Sequence, residues 1–205
     1  MPMFPLGAAL LPGERLPLQI FEPRYVAMIQ ACLAAPQPRF GVVLITRGRE
    51  VGGGDERALV GTAALIGSCV ELPDGRFGII AVGEQRLRIV RWLLDDPYPR
   101  AEVEFWPDEP DGDPAAALAR VGELTDELEA SWHDLAAKSG APVPTFADPP
   151  LVSEPTPRSF ALASGLPIGE SDRQKVLSAA GPTTRLHVLA DALSDVIAVL
   201  QFRLL

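Results

Sequence analysis

Lysine, histidine and cysteine are scarce in this sequence, with two of each in 205 residues. Beyond Lys138 and Lys175 the positive charge is all arginine, scattered along the chain, and the formal net charge is −9. Such a surface repels a phosphate backbone or an anionic bilayer. No Lys/Arg stripe is dense enough to reverse that, so neither nucleic acid nor a membrane surface is expected as a partner. No apolar run reaches the roughly 20 residues of a membrane span. Residues 1–11 contain two prolines and no basic segment, unlike a signal peptide. Cys32 and Cys69 read as buried thiols in a reducing compartment rather than as a disulfide. A cytoplasmic protein is the expectation.

Self-contained catalytic chemistry is missing too. Glycines 52–54 are followed by Asp55 and Glu56 where a phosphate-binding loop needs lysine and a hydroxyl, so they read as a hairpin loop. His133 and His187 fall on separate helical segments, and no Gly-x-Ser-x-Gly elbow is present. Ser171 with Lys175 has the spacing of a Ser–Lys pair, but Ser171 reads more simply as a helix cap. The cysteines and histidines have no zinc spacing, and the acidic stretch lacks the order of a calcium loop. Asp95 and Asp96 read as a solvated turn. Of Trp92, Trp106 and Trp132, two are expected in the core. The sequence therefore predicts no catalytic residue, no cofactor and no metal; the protein is expected to work by binding.

What is present is a change of period. Up to residue 107 the chain reads as short strands: 40–46, a long bent segment 58–72 with Gly61 and Gly67 as bulges, and 77–82. A turn at Gly83-Glu84-Gln85 then leads into an alternating strand 86–91, and residues 101–106 alternate again. Pro5, Pro12 and Pro17 restrict any strand before residue 20 to a short or edge strand. One short helix interrupts, with Pro23 in its first turn and Tyr25, Met28, Ile29, Cys32 and Leu33 on one face. Residues 108–114 form an acidic connector. From 115 to 205 the period is helical, with Leu118, Val121, Leu124, Leu128, Trp132 and Leu135 on one stripe. Leu186, Leu189, Leu193, Ile197, Leu200 and Leu204 form another, any exposed part of which is a candidate contact surface. The domain reading is 1–107 β-rich, 108–114 connector and 115–205 helical.

Several strings are specific. Phe4-Pro5-Leu6, Leu11-Pro12-Gly13, Leu16-Pro17-Leu18-Gln19-Ile20-Phe21-Glu22-Pro23-Arg24-Tyr25 and the strand at 40–45 closely resemble the amino-terminal substrate-binding domain of the ATP-dependent Lon protease family. Residues 60–64 and 74–89 look like that domain's central strands. The resemblance implies an α+β fold: an amino-terminal PUA-like β pseudo-barrel with one short helix, then a carboxy-terminal helical bundle. It implies a non-catalytic, stand-alone module that binds unfolded or damaged polypeptide and acts with a separate protease or chaperone in protein quality control. The family's ATPase and Ser–Lys peptidase have no counterpart before Leu205. A small-molecule or modified-residue sensor and an uncharacterised hydrolase are the alternatives. Phe21, Glu22, Pro23, Arg24 and Tyr25 are the family signature. They read as an architectural staple, with Phe21 packed on Tyr25, Glu22 favouring the helix amides and Arg24 paired to Glu22 or to a backbone carbonyl.

Overall fold

A computed structural model describes residues 1–48, 56–140, 142–145 and 152–204; glycines 52–54 lie outside them. Two compact units divide the chain, Met1–Pro107 and Asp108–Leu205.

The first unit is a mixed six-stranded sheet with one helix. Its strands are β1 (Met3–Leu6), β2 (Arg15–Ile20), β3 (Arg39–Arg47), β4 (Glu56–Glu71), β5 (Phe77–Trp92) and β6 (Ala101–Phe105), and helix α1 (Pro23–Leu33) follows β2. Only β1 and β3 pair in parallel; the other ladders are antiparallel. Because side chains alternate across a strand, neighbours on one strand serve opposite faces. Phe4, Val42 and Ala64 enter the larger core with Ile20, Phe40 and Phe77, while Met3, Val43 and Ala63 enter a smaller core with Leu87 and Ile89. Tyr25, Met28, Ile29 and Cys32 cover the larger core from α1.

The expected pseudo-barrel does not form. Strand order runs β1-β3-β4-β5-β2, with β6 off that path on β5, so the sheet is open and not closed into a barrel. The cause lies in β5, whose second edge is divided between β2 along residues 77–82 and β6 along residues 87–92. No ladder joins β2 to β1 among the described residues, and the single bridge from Pro2 to Arg100 does not make one.

A second departure explains the length of β5. Residues 83–85 are not a turn but a bulge inside one 16-residue strand. Ala63 pairs with Gln85 and Ala64 with Gly83, so Glu84 is the extra residue. The insertion flips the alternation. Phe77, Ile79 and Ala81 line the larger core, yet Leu87 and Ile89, of the same parity, line the smaller one.

In the second unit, α2 (Ala115–Ser139), α3 (Pro155–Gly165), α4 (Glu170–Ser178) and α5 (Pro182–Arg203) form a helical bundle, with α2 and α5 the longest members. Val121, Leu124 and Leu128 of α2 are buried, as are Leu186, Leu189, Leu193, Ile197 and Leu200 of α5. Those five residues of the stripe are thus core, while Leu204 lies past the end of α5 and is half-buried; the large exposed apolar residues of that helix are Val199 and Phe202. Gly169, not Ser171, caps α4. No helix among the described residues is long and apolar enough to cross a membrane.

Candidate functional site

A pocket of about 150 Å³ opens between the two end strands of the sheet. Phe4, Pro5 and Leu6 of β1 form one wall, and Leu18, Gln19 and Ile20 of β2 form the other. Phe21, Glu22 and Tyr25, where β2 passes into α1, close the end. Backbone chemistry makes that corner. A residue before proline is held extended, and Glu22, before Pro23, has φ −70° and ψ 131°. Pro23 then starts the helix without wasting a donor, and Glu22 O accepts the first helical bonds from Tyr25 and Val26 at 2.9 Å each.

The floor is an aromatic stack. Tyr25 lies on Phe4 with ring centroids 4.2 Å apart and planes inclined by 17°, and Phe4 meets Phe40 at 6.0 Å. The Arg24 guanidinium covers the Tyr25 ring at 4.6 Å. Arg24 Nε also donates to Glu22 Oε2 at 3.0 Å, so the Glu22 carboxylate makes an ion pair and no side-chain cap bond to α1. Phe21, at the same end of the pocket, stands 64% exposed. The signature residues thus divide: Tyr25 builds the floor with Phe4, Glu22 and Arg24 form a paired rim, and Phe21 is presented to solvent.

The sequence predicts short or edge strands before residue 20 but does not predict that β1 and β2 wall a site. The signal that they wall a site was present in the same strings, as apolar residues on two proline-interrupted strands too short to be central.

The other candidates do not assemble. Lys175 Nζ donates to Asp172 Oδ1 at 2.7 Å, and that bond raises its pKa above the usual lysine value. A lysine acting as base for Ser171 needs the opposite shift. His133 and His187 are exposed on α2 and α5. Asp95 and Asp96 are exposed, with Arg57 4.0 Å from Asp95. Burial pushes the Cys32 thiol up to about 11 and raises that of Cys69, assisted there by Glu71; neither is an activated nucleophile. No group of three or more metal-ligating side chains occurs among the described residues. None of the three tryptophans is fully buried. Trp106 carries the guanidinium groups of Arg88 at 3.5 Å and Arg86 at 4.1 Å, and Trp92 carries that of Arg57 at 4.5 Å.

Comparison with known proteins agrees with this architecture. A Lon N-terminal domain protein from Xanthomonas campestris superposes with a TM-score of 0.68 at 26% identity, covering 93% of this chain and 96% of that one. The N-terminal domain of the Mycobacterium avium complex Lon protease has the same fold, with a TM-score of 0.64 at 19% identity over 95% and 97% of the two chains. Curated proteins yield no match. Residues 1–195 match the substrate-binding domain of ATP-dependent protease La (LON), and the chain belongs to that family.

Proposed function

We propose that this protein is a non-catalytic binding module for unfolded or damaged polypeptide, acting in the cytoplasm with a separate protease or chaperone in protein quality control. The observation that carries the reading is the pocket between β1 and β2, with a large aromatic side chain exposed at its edge. Holding Phe21 in water forgoes the roughly 1.5–3 kcal/mol that burial of such a side chain contributes. A partner's apolar surface recovers that energy; a folded partner with its apolar residues inside does not. Kinship to a substrate-binding domain supports the same reading.

The test is titration of the protein with a reduced, carboxymethylated model polypeptide and with its native form. Saturable binding of the denatured form alone is expected, weakened in a Phe21→Ala variant. Equal binding of both forms, or none at tens of micromolar, would sink the proposal.

A further inference from the structure

We infer that the pocket takes one large apolar side chain and adds no strand: a polypeptide enters side chain first, with its backbone left unpaired by the sheet. The inference rests on the reading above and specifies how the polypeptide is held. An open sheet edge can hold an extended peptide by strand addition. Here the donor positions at both ends are interrupted.

On β2, Gly83 N–H donates to Glu14 O at 2.9 Å. Facing residues of an antiparallel ladder alternate between bonded and non-bonded pairs. Leu16, Leu18 and Ile20, opposite Ala81, Ile79 and Phe77, therefore bond to β5. Arg15, Pro17 and Gln19 turn their backbone to the open side, and the middle one has no N–H. On β1, Gly41 N–H donates to Pro2 O at 2.9 Å, and Met3 N–H donates away from β3, to Pro99 O at 2.8 Å. Even-numbered residues of β1 thus face β3. The next position facing away after Met3 is Pro5, again without a donor. Proline at such positions is a device that blocks edge pairing.

What the seam offers instead is apolar volume. An apolar cavity near 150 Å³ suits one benzene-sized group, whereas pockets for whole small molecules start at about 300 Å³. The mouth offers no unpaired charge, since Glu22, which lines it, is paired with Arg24 at 3.0 Å. Residues 1–107 hold eleven arginines against twelve acidic residues, while residues 108–205 hold seven basic against fifteen acidic. The unit with the pocket is close to neutral and the acidity resides in the other. The occupant that fits is phenylalanine or leucine in an uncharged stretch of unfolded chain.

The experiment titrates the full chain with three peptides of one uncharged sequence: a central Phe, the same position as Ala, and the Phe peptide with esters replacing the amides on either side of it. Loss of the ring is expected to weaken binding about tenfold or more. Ester replacement, which removes backbone donors, is expected to change it by less than about threefold, since no ladder bond is lost. If the esters weaken binding as much as the alanine does, strand addition is the mode and the inference is wrong, with the proposed function intact. If the Phe peptide fails to bind, or binds Phe21→Ala equally well, the proposed function itself fails.

Discussion

Asp108 grips Arg185 through both carboxylate oxygens, with Nη2 to Oδ1 at 2.6 Å and Nη1 to Oδ2 at 3.1 Å. The arginine side chain is wholly buried. Its Nη1 also donates to Ser159 Oγ at 2.8 Å, and its guanidinium lies over the Phe160 ring at 3.6 Å. Thr156 Oγ1 completes the set with a 2.7 Å bond to Asp108 Oδ2. One ion pair thereby ties the connector to α3 and α5 within the helical unit. A buried charge is tolerated only with such partners, and removing one of them strands the other.

Asp108→Ala should therefore cost about 3–5 kcal/mol of stability, measured by urea unfolding. Asp108→Leu with Arg185→Met together should recover most of that, because two apolar side chains leave no charge unpaired. A double variant no more stable than Asp108→Ala would mean that the pair contributes shape rather than charge balance.

The connector contributes a second anchor, and it is pH-dependent. Burial would raise the Asp111 carboxyl, but N–H bonds from Thr184 and Thr183 at the start of α5 outweigh it and hold the pKa below the ordinary carboxylate value. A depressed folded-state pKa stabilises above the unfolded value near 3.9 and is lost as pH falls through the folded one. Asp111→Asn should cost about 0.5–2 kcal/mol at neutral pH, as loss of a helix cap does. The difference from the unmodified protein should shrink below about pH 4. Unfolding curves between pH 7 and pH 2.5 test this; a gap that stays constant would rule out the carboxylate as its source.

Most helices were legible in the sequence because helical periodicity is local. Tyr25, Met28, Ile29 and Cys32 recur on one face of α1 and are all buried, though Leu33, predicted on the same face, is exposed; Leu186 to Leu200 of the α5 stripe are buried likewise. Sheet closure was not legible. It depends on how β5 shares one edge between β2 and β6, a long-range choice that no window of residues encodes. Gly83 shows why turn chemistry misled. Its glycine is needed for close approach: a Cβ there would stand 2.6 Å from Leu11 O and 3.1 Å from Thr62 Cγ2.

Gly83→Ala should accordingly destabilise by about 1–3 kcal/mol through overpacking. Gly78→Ala, on the same strand with open space at its Cβ position, should change stability by less than about 0.5 kcal/mol. Thermal or denaturant unfolding of the two variants compares a crowded glycine with a free one. Equal costs would show that strand propensity, not the contact with Leu11, governs Gly83.

The burial of Arg185 was not legible in the sequence for a different reason. Arginine is rarely buried, so an arginine in a helical stripe is assigned to solvent by default. The pocket lay between these extremes. Its walls were in plain view as a family signature, but their meeting across the open seam requires β1 and β2 to sit at opposite ends of the strand order while walling one pocket.

That placement gives Phe21 and Tyr25, four residues apart, opposite consequences on mutation. Tyr25 is 5% exposed and stacked on Phe4, so Tyr25→Ala should open a cavity and cost about 3–5 kcal/mol, the range for truncating a buried aromatic. Phe21 is 64% exposed, so Phe21→Ala should leave stability within about 0.5 kcal/mol while weakening polypeptide binding about tenfold. Measuring both quantities on both variants separates the architectural half of the signature from the presenting half. If Phe21→Ala lost stability in step with binding, its ring would be a packing element, and the exposed aromatic would no longer mark a binding surface.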